Sequence, residues 1–264
     1  MQNNLIHDST NSIEKAVSLL REKKLVAIKT ETVYGVACDP GSVEAIKKLY
    51  KLKNRPIYNP LIIHVNSINM AKEIAYVSKD SKKIIDNFWP GPLTLILPRK
   101  KNKLIHNLAI SNLETIAVRQ PKSKVMERIL DNFKKPIAAP SANESGYVSA
   151  TDAKHVIDSF GKRIDLVIDS GRTNYGLEST ILDMTSNPYQ IKRLGVIDFN
   201  AIKKITGISI SHHNTENINS IKPNSPGQLL KHYSPKTPIK ININSPNTND
   251  AFLNFGKKNS FNHQ

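Results

Sequence analysis

The 264-residue chain is predicted to be an α/β protein built on a mixed sheet, and three observations carry that prediction. Segments with apolar residues three and four apart are interleaved with short apolar runs bounded by turn residues. The interleaving is not a strict strand–helix alternation, because two strand patterns near residue 190 follow one another directly, which a purely parallel sheet does not allow. The longest apolar runs, such as Leu61-Ile62-Ile63 and residues 93–97, fall far short of the roughly 20 residues of a membrane span, so no membrane protein is expected.

Taken in order, Asn11 and Glu14 read as a capping box opening an amphipathic helix to about residue 24, with Ile13, Val17 and Leu20 as its stripe. A strand at 25–28 runs into a loop at 29–35, and a helix at 42–53 must stop before Pro56. Pro60 leads into a strand at 61–65. Helices at 68–75 and 80–88 precede the breaker Pro90-Gly91-Pro92 and a strand at 93–97. Further strands are expected at 115–119, 137–139, 166–168, 180–184 and 190–194, and helices at 124–133, 152–160 and 200–205. The first domain is therefore read as 1–207. Residues 208–238 read as an exposed linker, rich in Asn, Ser and His over 209–225 and interrupted by the order-promoting run Pro226-Gly227-Gln228-Leu229-Leu230-Lys231-His232-Tyr233-Ser234-Pro235. Residues 239–264 hold one strand pattern and a polar tail too short for a core of its own.

The formal net charge is +16, which points to a polyanionic partner. Yet the cations are 30 Lys against 8 Arg, beside 27 Asn and 32 Ile, a pattern that A/T-rich codons would produce on a solvated surface. Each Arg is thereby more informative, since it marks a place where the planar guanidinium fork is needed. Met1-Gln2-Asn3-Asn4 lacks the basic and apolar stretches of a signal peptide, and Cys38 has no partner for a disulfide. A cytoplasmic location is expected.

The familiar phosphate grips are absent: there is neither a Gly-x-x-x-x-Gly-Lys-Ser/Thr loop nor a Gly-x-Gly-x-x-Gly turn. Histidines lack metal-ligand spacing, and no Gly-x-Ser-x-Gly nucleophile elbow exists. Four segments do carry chemistry. In the run from Lys53 to His64, Pro56 and Pro60 hold the chain extended around Asn59, so Lys53, Arg55 and Asn59 face an anion or simply complement a helix end. In 115–119, alternation puts Thr115, Ala117 and Arg119 on one face, either as a clamp for a carboxylate or phosphate or as an ordinary solvent face. Pro140-Ser141-Ala142-Asn143 and Gly176-Leu177-Glu178-Ser179-Thr180 read as small hydrogen-bonding turns at strand ends, with or without a ligand.

Together and in order, Lys29-Thr-Glu-Thr-Val-Tyr-Gly35, Lys53-Asn-Arg-Pro56, Asn59-Pro-Leu-Ile-Ile-His64, Trp89-Pro-Gly-Pro-Leu-Thr94, Ala117-Val-Arg119, Ala139-Pro-Ser-Ala-Asn143, Glu178-Ser-Thr180 and Lys192-Arg193 resemble the YrdC-type threonylcarbamoyl-AMP synthase family. The resemblance spans most of residues 12–207. Pro226-Gly227 and Lys231-His-Tyr-Ser-Pro235 further resemble the linker of its longer branch, although Gln228-Leu229-Leu230 departs from that branch's pattern.

This resemblance implies a YrdC-like twisted mixed parallel and antiparallel sheet, flanked by helices, around a basic concave cleft. It implies synthesis of threonylcarbamoyl-AMP and pyrophosphate from L-threonine, ATP and bicarbonate or CO2, with Mg2+ accompanying ATP and no protein-ligated metal. A downstream threonylcarbamoyl-transferase complex would use the product to modify tRNA, and a weak tRNA or other RNA contact is expected. Threonine would be held by Thr32, His64, Arg119, the Ala139 backbone and Ser179. ATP would be held by Lys53, Arg55, Asn59, Thr115, Ser141, Asn143, Ser149, Arg193 and Tyr233, with Lys53 and Arg55 as the catalytic cations. Separately, the isolated order-promoting run inside the polar tract leads us to expect the linker to fold over the ATP as a lid, and 239–264 is read as the remnant of a second domain. Two other classes compete: a non-catalytic double-stranded RNA or tRNA binder, and a carbamoyl-transfer maturation factor, against which the single cysteine argues.

Overall fold

The computed structural model describes residues 4–212 together with 234, 235, 237–241, 247 and 251. The chain divides into two compact units, Met1–Ser234 and Pro235–Gln264. In the second, the described residues carry no helix or strand; of the strand pattern at 239–243, residues 242 and 243 lie outside the described residues.

The first unit runs β1 (Leu5–His7), α1 (Thr10–Arg21), β2 (Val26–Lys29), β3 (Tyr34–Ala37), α2 (Val43–Lys53), β4 (Ile62–His64), α3 (Ile68–Ile74), α4 (Lys79–Phe88) and β5 (Leu93–Pro98). After a 3₁₀ turn at Asn107–Ile110 come β6 (Thr115–Arg119), α5 (Lys124–Phe133), β7 (Ile137–Ala138), α6 (Ala153–Phe160), β8 (Leu166–Asp169), β9 (Thr180–Asp183), β10 (Tyr189–Arg193), α7 (Phe199–Thr206) and β11 (Ile210–His212). Each of these α-helices is opened by a Ser or Asp whose side chain accepts a first-turn N–H, satisfying a donor that the helix itself leaves unpaired. For α1 the box is Ser9 with Ser12, not Asn11 with Glu14. Asn54 ends α2 in the left-handed conformation just ahead of Pro56.

The strands form a four-stranded sheet, β1-β8-β2-β3, and a seven-stranded one, β11-β10-β9-β5-β6-β4-β7. Both mix parallel and antiparallel pairs, as expected from the sequence. Bridges Gly35–Ser141 and Cys38–Ala138 join β3 to the chain around β7. Two findings extend the sequence reading. β3 lies partly in the stretch read as a loop; all four of its residues are buried, so it shows no polar alternation. β11 pairs parallel with β10 inside the stretch read as linker.

Two large apolar clusters hold the unit together. α1 and α5 pack Ile13, Leu20, Ile129 and Phe133 against Val26, Ile28 and Ile168. On the other side, Ile46, Leu49, Ile74 and Ile84 pack against Ile63, Leu95 and Val118. Each such side chain removed from water contributes about 1.5–3 kcal/mol. The alternate residues of the central strands, Ile62, Ile96, Ala117 and Ile181, form a separate small cluster. This is the face that carries His64 and Arg119.

Candidate active site

A cleft of about 730 Å³, including its open mouth, lies over this face. Its walls come from the β2–β3 turn, the stretch from the end of α2 to β4, the end of β6, residues 139–146, residues 178–179 and the end of β10. Four cationic side chains line it, Lys53, Arg55, Arg119 and Arg193, against one carboxylate, Glu178.

At one end stands Arg119, whose Nε donates to the Gly91 carbonyl at 3.1 Å and whose Nη1 donates to Thr32 Oγ1 at 3.0 Å. Its Nη2 meets Glu31 Oε1 at 2.7 Å, with both side chains 5% exposed. Two of its five guanidinium N–H groups are thereby hydrogen-bonded, and the contact of Nη2 with Glu31 is an ion pair. Burial pulls the Arg119 pKa down, and the partnership with Glu31 opposes that pull. His64 pairs with Arg119 across the parallel β4–β6 ladder. Burial, and then the charge of Arg119, push His64 down to about 3, so it is a neutral imidazole at physiological pH. Its buried Nδ1 has no partner within the described residues.

The other end gathers cations. Lys53 is buried at the last position of α2, and its Nζ donates to the carbonyls of Ser141, at 2.5 Å, and of Asn143. Burial, and then Arg55, push the Lys53 pKa down to about 7. Arg55 donates to the Asn59 carbonyl at 3.0 Å, to Asn59 Oδ1 at 2.7 Å and to the Pro60 carbonyl at 2.7 Å, and burial pushes its pKa down to about 10. Arg193 pairs with Glu178 and donates to the Ser179 carbonyl and hydroxyl at 3.0 and 3.1 Å. Gly195 permits this approach, since a Cβ there would lie 2.4 Å from the Glu178 carbonyl oxygen. Lys53 repels Arg55, and Arg193 repels both Arg55 and Arg119; a bound anion relieves these repulsions.

Of the residues singled out in the sequence, Thr32, Lys53, Arg55, Asn59, His64, Arg119, Ala139, Ser141, Asn143, Ser179 and Arg193 all line the cleft. Ser149 does not; it sits behind, donating to Glu178 Oε1 at 3.0 Å. Thr115 is not among the lining residues either: it occupies the opposite end of β6 from Arg119, opposite Pro98 of β5. Tyr233 and most of the presumed lid lie outside the described residues, although the Ser234 N–H donates to the carbonyl of Gly146, on the cleft wall, at 2.8 Å. The Lys53 ammonium is turned onto two carbonyls of the 141–143 turn, and the Arg119 fork already holds one internal carboxylate. Glu31 and Glu178, the carboxylates that hold two of the arginines, were not recognised in the sequence as site residues; their only signal was position, each beside a candidate contact, Thr32 and Ser179.

The chemistry available is recognition and electrostatics. Cys38 is buried, and burial pushes its thiol up, so it offers no nucleophile. Both nearby carboxylates are engaged by arginines, and among the described residues no cluster of three metal-ligating side chains exists. Nor is any helix among them long and apolar enough to cross a membrane.

Known proteins resemble this chain in sequence and fold. A family model for Sua5, YciO and YrdC proteins, described as "Telomere recombination", matches residues 18–195. The chain is 36% identical over 230 residues to a threonylcarbamoyl-AMP synthase of Pyrococcus abyssi, an alignment covering 87% of this chain and 67% of that protein. It is 38% identical over 241 residues to a threonylcarbamoyl-AMP synthase of Bacillus subtilis, covering 90% and 69%. Among solved structures, P. abyssi Sua5 complexed with L-threonine superposes with a TM-score of 0.82 at 35% identity, covering 88% of this chain and 68% of that one. The cleft-bearing chain described here therefore belongs to the Sua5/YciO/YrdC family.

Proposed function

We propose that this protein is a threonylcarbamoyl-AMP synthase, joining L-threonine, bicarbonate or CO2, and ATP into threonylcarbamoyl-AMP with release of pyrophosphate. The observation that carries the reading is the two-ended cleft, with a buried Arg119, Thr32 and neutral His64 at one end and Lys53, Arg55 and Arg193 at the other. The relatives named as synthases support it.

Threonine enters with its carboxylate toward the Arg119 guanidinium, which lines the cleft. Its amine must be neutral to attack the carbon of CO2, and the neutral His64 beside Arg119 adds no further positive charge. That attack forms the N–C bond and yields a carbamate after loss of the amine proton. A carbamate oxygen then attacks the α-phosphorus of ATP, the bond to the bridging oxygen breaks, and its electron pair leaves with pyrophosphate. Negative charge grows on the phosphates, where Lys53, Arg55 and Arg193 converge, and preorganised cations in a partly dry cleft stabilise such charge more than water does. No covalent enzyme intermediate is required, consistent with the buried thiol. Mg2+ would arrive on the triphosphate, held by phosphate oxygens and water, because the carboxylates of the cleft are already paired with arginines.

The product is a mixed anhydride, so a downstream threonylcarbamoyl-transferase complex must accept it. The positive net charge fits a weak contact with the tRNA that is modified, and the reaction belongs in the cytoplasm. Calorimetric titration tests the two ends separately. Arg119→Ala is expected to weaken threonine binding at least tenfold while changing ATP affinity less than threefold; unchanged threonine affinity would remove the assignment of that end.

A further inference from the structure

Thr30, in the turn between β2 and β3, has no part in the reaction as described, yet its hydroxyl decides what Thr32 offers to the cleft. Thr30 is buried, lines the cleft and donates its hydroxyl proton to the Val33 carbonyl at 2.7 Å. A hydroxyl has a single proton, so every other partner of Thr30 Oγ1 must donate to it. Two of these are backbone N–H groups, of Thr32 at 3.3 Å and of Val33 at 3.2 Å. The third is the Thr32 hydroxyl at 2.8 Å, which is thereby the donor in that contact. Thr32 Oγ1 in turn accepts the Arg119 Nη1 proton at 3.0 Å. The bonds run in one direction, from Arg119 to Thr32 to Thr30 to the Val33 carbonyl. With its proton directed inward, Thr32 can show the cleft only a lone pair.

We infer that Thr30 is a positioning residue that makes Thr32 an acceptor-only contact, and so selects an α-amino over an α-oxo carboxylate at the Arg119 end of the cleft. The inference rests on the proposal that this end binds threonine. An α-amine donates an N–H to Thr32, and because the contact uses a proton, the nitrogen lone pair stays free for the carbon of CO2. An α-oxo group would set a carbonyl oxygen against the lone pair of Thr32, and a buried acceptor without a donor is costly.

The test uses 2-aminobutanoate and 2-oxobutanoate, which differ only at the α-substituent, titrated by calorimetry into the unmodified protein, Thr30→Val and Thr30→Ser. The unmodified protein and Thr30→Ser are expected to prefer the amino acid at least tenfold. In Thr30→Val the Thr32 hydroxyl loses its inward acceptor and is free to donate outward. The preference is expected to fall about tenfold while ATP affinity holds. If Thr30→Val does not fold, Thr30→Ala takes its place with the same expectation. A hydroxyl-free variant that discriminates like the unmodified protein would overturn the inference. So would loss of the preference in Thr30→Ser, which would make turn shape the cause. An unmodified protein that binds threonine but does not distinguish the two probes would overturn this inference alone, whereas one that binds neither threonine nor 2-aminobutanoate would overturn the threonine reading beneath it.

Discussion

Glu31→Ala strikes the best-buried charge pair of the cleft. The carboxylate meets Arg119 at 2.7 Å with both side chains 5% exposed, and the other Arg119 contacts are neutral oxygens of Gly91 and Thr32. Arg193 repels the bared guanidinium. Removing one member of such a pair costs about 3–5 kcal/mol, a large share of a domain stability of about 5–15 kcal/mol. Glu31→Gln keeps the volume and an acceptor, so its loss should be nearer 1–2 kcal/mol. Urea unfolding followed by the fluorescence of Trp89, the single tryptophan, reads the difference. With m about 3 kcal/mol/M, the Glu31→Ala midpoint should fall by about 1–1.7 M. Saturating threonine should restore more stability to Glu31→Ala than to the unmodified protein, because its carboxylate supplies the missing counter-charge. A Glu31→Ala midpoint within about 0.3 M of the unmodified protein would refute the claim that this pair holds the arginine.

Other perturbations follow from the same geometry. Lys53 titrates near 7 in the folded protein and near 10.4 in an unfolded chain. The unfolded state therefore binds more protons across that window, and stability should rise with pH between them, by as much as about 4 kcal/mol. Lys53→Met should flatten that rise in urea titrations at pH 7 and 9.5 while abolishing ATP binding; an equal slope in both proteins would contradict the burial of the charge. Gly195→Ala sets a Cβ 2.4 Å from the Glu178 carbonyl oxygen, so β10 must shift and carry Arg193 away from Ser179. Its KM for ATP should rise several-fold, and an unaltered KM would show that the close approach is dispensable. Deleting residues 221–264 should weaken ATP binding or raise threonine-independent hydrolysis, and an unchanged synthesis rate would dispose of the linker as a lid.

Much of the fold was legible because its helices and inner strands carry strong local signals. The expected helix at 124–133 and strand at 115–119 coincide with α5 and β6. β3 escaped because burial on both faces erases the alternation that marks a strand. β1 escaped for a different reason, being three residues at a sheet edge. In the site, residues set in distinctive runs, such as Arg55 just ahead of Pro56 or Arg119 at the end of an alternating strand, were legible as cations aimed at something. What they were aimed at inside the protein was not. Glu31 reaches Arg119 and Glu178 reaches Arg193 through tertiary contacts that no local spacing encodes, and Lys53 finds its carbonyls in a turn on a distant segment. Thr115 shares a strand face with Arg119, but alternation says nothing about how far along the strand a cleft extends.

The central claim is that one cleft joins threonine, a one-carbon acid and ATP, and the dependence of pyrophosphate release on each substrate measures it directly. With labelled ATP, pyrophosphate should appear only when threonine and bicarbonate are both present, in step with carbon from labelled bicarbonate entering an adenylate. Pyrophosphate released at the same rate without threonine, or with no label in an adenylate, would contradict it.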